Sequence, residues 1–268
     1  MPAPLRSDVP GTWAYDTMSR RVVEEILDRV VYGDNGGAPW FGAAKPALDA
    51  LRAEILAAAP LTPIADDGGD DVEAWNALLA EAPGETWLSA PWLLSEFYLY
   101  RRVAAATAWF GAAGAPDVFE KSKAAGLASA GATLDALGER CAALLADPGS
   151  SALFLSIALW GNRMDLSLWP AGSNVAASAE AFDGVLDASQ KQLLADDTPA
   201  VLALLDGLRA KGGGVVDLVV DNAGFELCTD LLLAEHLVAS GAAKTVRCLL
   251  YTSPSPRDAT LARMPSSA

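Results

Sequence analysis

Three short segments carry residue types that could do chemistry. The first is Val215-Val216-Asp217-Leu218-Val219-Val220-Asp221-Asn222-Ala223-Gly224-Phe225-Glu226. Its β-branched run reads as a buried parallel strand, with polar residues where the strand ends and a helix begins. In open α/β sheets ligands bind outside the carboxyl ends of strands, which puts Asp221 and Asn222 at the expected mouth. A carboxylate beside an amide carbonyl offers two hard oxygens, suited to Mg²⁺ or Mn²⁺ and not to a thiophilic metal. The pair also has a plainer reading, in which Asp221 or Asn222 caps the following helix. The second segment, Leu159 to Ser167, crowds Asn162, Arg163, Asp165 and Ser167 behind an apolar run. A helix stop at Gly161 followed by an Asx-type turn would account for it without function. The third, Trp92 to Arg102, places Glu96 with Tyr100, and Phe97 with Arg101, on shared helix faces. An aromatic core face with a salt-bridged Arg explains it equally.

Other residues narrow the chemistry. The one histidine, His236, falls late in a helical pattern, where an exposed position or a charge partner for the helix C-terminus is expected. That argues against Ser-His-Asp and Cys-His catalysis. Gly212 to Gly214 precedes a strand instead of following one, which is wrong for a nucleotide-binding glycine loop. Cys228, close to the Asp-Asn pair, reads as a small core residue with nothing to activate its thiol. Asp230, one turn into the helix, reads as a surface residue or a support for a ligand. The acidic run Asp66 to Asp71 lacks the ligand alternation and closing Glu of an EF-hand, so it reads as a solvated loop.

The elements that must position these groups follow from periodicity. Residues 17 to 145 are dominated by helical patterning, as in Thr17 to Val31 with Val22, Val23, Ile26, Leu27 and Val30, and in Lys45 to Ala58 with Leu48, Leu51, Ile55 and Leu56. Breaks fall at Gly33 to Gly37, Asp66 to Asp71 and Gly111 to Pro116. After Ser150 the character changes. Ala152 to Trp160 is an apolar helix expected to stop at Gly161, and Asn162 to Ser178 is expected to be loop. Lys191 to Asp196, Pro199 to Lys211, Val215 to Val220, Gly224 to Ser240 and Lys244 to Arg247 then alternate strand-like and helix-like patterns, which implies βαβ units and a parallel sheet. A helical N-terminal domain, residues 1–150, is therefore expected to lead into the first part of an α/β domain, residues 151–247.

The chain has 268 residues, 52% of them hydrophobic, with a net charge of −15. It is too apolar for a disordered chain. The negative field argues against nucleic acid and basic membrane anchors. No apolar run reaches the roughly 20 residues of a membrane span. The N-terminus shows no apolar core of a signal peptide, so a cytoplasmic location is expected. Three cysteines without C-x-x-C spacing give neither a disulfide framework nor a zinc signature. The last stretch, residues 248–268, contains CLLYTSPSPRD and RMPSSA, which read as translated sequencing-library adapter, so native sequence is expected to end near Arg247.

LWGNRMDLSL (Leu159 to Leu168) and VDNAGFELCTDLLLAEHL (Val220 to Leu237) resemble the W-G-N-x-x-D-L-S and D-N-(A/S)-G-F-E-L-x-x-D-L signatures of the damage-control phosphatases of the ARMT type. That family is also described as protein-glutamate O-methyltransferases. PWLLSEFYLYRR (Pro91 to Arg102), DVFEKSK (Asp117 to Lys123) and GTWAYDTMSRRVVEEILDRVV (Gly11 to Val31) support the resemblance in collinear order. It implies a Rossmann-like α/β/α domain behind the helical one, and a phosphatase of small phosphometabolites such as fructose phosphates. It also implies Mn²⁺ or Mg²⁺, with Co²⁺ or Ni²⁺ as substitutes. Carried over by position, Asp221 and Asn222 are metal ligands at the catalytic centre, Asn162 and Asp165 line the same pocket, and Glu226 contacts substrate. The family's third ligand, an Asp in a P-x-F-V-S-D type segment, and its G-D-L-N-Y-R-K and R-T-x-K phosphate-holding segments do not occur here. Asp258 lies in adapter-like sequence and is not counted as a ligand. The chain is therefore expected to be a fragment with little or no turnover. The alternatives are S-adenosylmethionine-dependent carboxyl methylation and a non-catalytic helical interaction module; oligomeric state is left open.

Overall fold

The computed structural model describes residues 3–111, 117–167, 191–220 and 222–250. They mix helices with a small parallel sheet, an α/β chain with a helical N-terminal region, as expected. The chain divides into two compact units, Met1–Ser122 and Lys123–Ala268. Among the described residues no helix is long and apolar enough to cross a membrane.

In the first unit α1 (Trp13–Asp16), capped by the Thr12 hydroxyl, runs without a break into a π-type helix of 18 residues, Thr17–Asp34. Its apolar stripe of Met18, Val22, Val23, Leu27 and Val31 is buried, as the period predicts, and shares one core with residues of the next helices. These are Leu48, Leu51 and Ile55 of α2 (Phe41–Leu56), Leu79 of α3 (Val72–Ala80), and Tyr98, Leu99 and Val103 of α4 (Trp92–Ala106). Asn35 ends the long helix. Its buried amide nitrogen donates to the carbonyls of Val30, Val31 and Val118, at 3.2, 3.1 and 2.9 Å. It thereby serves carbonyls that a helix C-terminus leaves without an intrahelical donor.

Two arginines inside this unit are paired with carboxylates. Arg102 reaches Glu54 and donates to the Tyr98 hydroxyl at 2.7 Å. Arg101 is buried. Its guanidinium meets Asp67 at 2.7 and 2.9 Å and Asp71 at 3.0 Å, and stacks over the Phe110 ring. The acidic run is thus not a solvated loop as a whole. Two of its four carboxylates, 30 and 34 residues away in sequence, clamp a buried cation. Its hydrogen bonds hold the Asp67 carboxyl below the ordinary carboxylate range. The Trp92 to Arg102 segment accordingly takes its plainer reading, a core face with a salt-bridged Arg.

The second unit is built from α5 (Glu120–Cys141), α6 (Ser151–Ser167), α7 (Thr198–Ala210), β1 (Gly214–Val220), α8 (Phe225–Ala239) and β2 (Ala243–Leu250). Residues 191–196, expected as strand, form turns and bends. β1 pairs with β2 in parallel, with α8 as the crossover, which is the βαβ unit the alternating pattern implied. Phe154, Ile157, Leu205, Phe225, Leu233 and Leu237 form the core beside one face of the sheet. β1 is not buried on both faces, contrary to the reading of its apolar run. Val215 and Val219 are exposed, with Leu249 of β2 on the same side, while the Asp217 carboxylate pairs across the strands with Arg247. Burial alternates because the described helices pack on one face alone.

The clamp around Arg101 makes a quantitative prediction. Asp67→Ala strips half the carboxylate partners from a buried guanidinium and is expected to cost about 3 kcal/mol, whereas Asp70→Ala, exposed in the same loop, should stay within about 0.5 kcal/mol. Urea unfolding of both variants reads this directly, and equal midpoints would remove the clamp as a stabilising element.

Candidate functional site

β1 delivers Val220, which is buried, to the start of the loop that leads into α8. Asp221 lies outside the described residues. Asn222 follows at the carboxyl end of the strand, exposed, and its Nδ2 donates to Glu226 Oε2 at 2.8 Å. A carboxylate can only accept, so this bond fixes the amide's orientation and identifies Oδ1 as the hard oxygen of Asn222. Asn222 is not itself the N-cap of α8. The N-cap of α8 is Gly224, which has no side chain to offer. Gly224 sits at φ 83° and ψ −141°, backbone that side-chain-bearing residues avoid. That turn reverses the chain between strand and helix and brings Asn222 over the first turn of α8.

The second segment reaches the same place from α6. This helix does not stop at Gly161; it runs through to Ser167, so residues 162–167 are helical and not a turn. Gly161 is buried because α6 passes there against α8. A Cβ at Gly161 would fall on Thr229 Oγ1 and lie 3.1 Å from Glu226 Cα. The glycine was read as a helix stop, and its use is close approach of two backbones. Thr229, fully buried, has its hydroxyl donated to the Glu226 carbonyl at 2.7 Å, which stows the oxygen that meets α6. Asn162 is the next residue along α6 and Asp165 lies one turn beyond; the side chains of both lie outside the described residues. The structure thus brings the backbone of the Trp-Gly-Asn segment to the helix turn that carries Glu226. Thr229, three residues after Glu226, was not singled out in the sequence; a small β-branched residue in an otherwise apolar helix face was its only signal.

The donor chemistry suits a hard divalent cation. The described polar groups at the mouth are an amide oxygen and a carboxylate, and burial pushes the Cys228 thiol up, away from the thiolate form a soft metal would need. Among the described residues no three His, Cys, Asp or Glu side chains converge as a metal site. His236 stands ten residues along α8 from Glu226, about 15 Å at the rise of a helix. It is fully buried and not exposed, because Phe154, Ser151 and Leu145 close around it.

Comparison with known proteins bears on most of the chain. The family model described as the damage-control phosphatase ARMT1-like domain matches residues 43–265. Damage-control phosphatase ARMT1 of Mus musculus is 32% identical over 273 residues, which covers 89% of this chain and 61% of that protein. The rat protein of the same name is 32% identical over 270 residues. The human one is 30% identical over 287 residues, covering 95% of this chain and 64% of its own. The chain spans 61% of the length of the first two.

The close approach at Gly161 is testable without any ligand. Gly161→Ala is expected to destabilise the second unit by about 1–3 kcal/mol, because neither the Thr229 side chain nor the α8 backbone has room to retreat. Gly161→Ala with Thr229→Ala should recover part of that loss in thermal unfolding. A fully tolerated Gly161→Ala would mean that the helices do not meet there.

Proposed function

The chain belongs to the ARMT1-like damage-control phosphatase family, and on that premise we propose that it carries part of a divalent-metal-dependent phosphatase site for a small phosphorylated metabolite, such as a sugar phosphate. The observation that carries this reading is the Asn222–Glu226 pair at the end of β1, on the first turn of α8. Asn222 Oδ1 and the Asp221 carboxylate are the two ligands, and Mn²⁺ or Mg²⁺ suits them best. A bound cation would supply Lewis-acid polarisation of a phosphoryl oxygen and a more acidic water.

The chain's own residues have separate tasks. Glu226 accepts from Asn222 Nδ2 and so keeps the amide from turning its nitrogen toward a cation, a positioning task beside the substrate contact expected of it. The amides of the first turn of α8 lack intrahelical acceptors and favour an anionic phosphoryl group near that end. A protein with a net charge of −15 repels such a substrate at long range, so the helix N-terminus, with a cation when one is bound, would be what admits it. Asn162 and Asp165, carried on the end of α6, are the further pocket residues that the family resemblance implies. Two protein ligands would hold a cation weakly.

Titration of the chain with Mn²⁺, followed by the resonance of the free ion, tests this. Asp221→Ala and Asn222→Ala should abolish binding. Glu226→Ala should weaken it by about tenfold, while Glu226→Gln, still an acceptor for Nδ2, should keep most of it. Identical Mn²⁺ affinity in all of these variants would dispose of the reading.

A further inference from the structure

We propose that His236, Ser151 and Arg209 form an acid-sensitive latch that holds the N-terminal end of α6 to the C-terminal ends of α7 and α8. The three side chains come from three helices and meet in a buried place. The His236 ring stacks on Phe154 at 4.2 Å between centroids and 12° between planes. Its Nδ1 lies 2.8 Å from the Leu145 carbonyl oxygen, which can only accept, so Nδ1 carries a hydrogen. Its Nε2 lies 2.8 Å from Ser151 Oγ and, in the neutral ring, takes the hydroxyl hydrogen. The same Oγ accepts from Arg209 Nη2 at 2.6 Å, and Arg209 Nε donates to the Ser240 carbonyl just past the end of α8. Arg209 to Ser151 to His236 to Leu145 is thus one directed chain of hydrogen bonds.

Protonation strains the charges and not the hydrogen bonds. The Ser151 hydroxyl can turn to the Pro148 carbonyl, 2.9 Å away, and then accept from both His236 and Arg209. The result is a buried imidazolium and a guanidinium sharing one neutral oxygen. Two carboxylates bear on them. Asp206 pairs with Arg209 Nη1 at 2.8 Å, and Asp147, which accepts from Gly149 N and Ser150 Oγ in the turn before α6, faces the ring with a favourable charge. Burial first and Arg209 second push His236 below its ordinary value, with the Leu145 carbonyl and Asp147 in partial opposition. An opened ring takes its proton near pH 6.5 and the closed ring does not. The open state therefore gains by up to about tenfold for each pH unit below that value, until the closed ring itself titrates. Above neutrality the latch is closed and indifferent to pH. Its other consequence lies at the far end of the same helix pair, where α6 meets Glu226 and Thr229; the latch is independent of what that end binds.

His236 is the sole histidine, so its ring Cε1–H resonance in the full chain is unambiguous. The expected midpoint is below about pH 6.5. It should rise in Arg209→Met, which removes the competing cation, and fall in Asp147→Asn, which removes the favourable charge. Amide hydrogen-exchange protection, corrected for intrinsic rates, should drop about tenfold between roughly pH 6.5 and 5 in the first turn of α6 and the last turns of α7 and α8. In His236→Gln it should stay flat. A wild-type midpoint at or above the ordinary value, unmoved by Arg209→Met and Asp147→Asn, would overturn the latch. So would an equal loss of protection in His236→Gln. Should His236→Gln fail to fold, the wild-type and Asp147→Asn resonances decide.

Discussion

The second unit depends on how closely α6 can approach α8. At Gly161 α6 presents no side chain to α8, and the Thr229 hydroxyl occupies the space a Cβ would claim. Thr229 can hold that position because its hydrogen is donated to its own helix, at the Glu226 carbonyl. One contact thus sets two distances at once. It fixes the depth of α6 in the core, where Phe154 and Ile157 are fully buried, and it fixes the height of the Glu226 turn relative to the residues that follow Gly161. Since Ser151 meets His236 while Gly161 meets Glu226, the helices run antiparallel, and each end of the pair carries a polar arrangement. At one end the groups are exposed and acidic or amide; at the other they are buried and basic.

The first unit is organised on a different principle. Its core is apolar, but the positions of its loops are set by buried polar groups. Arg101 is closed over by the Asp66 to Asp71 loop, and Gly69 lies so near the guanidinium that a Cβ there would meet Arg101 Nη2 at 2.7 Å. Glycine in that loop is required by the cation it wraps. A guanidinium suits the role because its planar fork meets two carboxylates and a ring face at once, which an ammonium cannot do.

What was legible in the sequence is what depends on neighbours along the chain. The helical stripe of Val22, Val23, Leu27 and Val30, and the switch from a helical period to a short β-branched run at Val215 to Val220, were readable because each is a local pattern. The placement of Asn222 at a strand end followed from the same switch, and its pairing with Glu226 is a four-residue step on the helix start. What failed depends on partners far away. Gly161 looked like a stop because a glycine lowers helix propensity whether it ends a helix or lets another one near. His236 looked exposed because its ring partners, Ser151 and Leu145, are 85 and 91 residues off. The acidic run looked solvated because nothing in its own stretch announces Arg101.

Asn35 shows how the first unit can and cannot be divided. Its amide joins the end of the Thr17–Asp34 helix to the Val118 carbonyl across 83 residues, well past the end of α4 at Ala106. Cutting the chain after the last core helix of that unit would take away the nearest of the three carbonyls this buried amide serves, together with Val118, which is itself buried in the same core. Val118, which lies in no helix, is in this way an integral strut of the core.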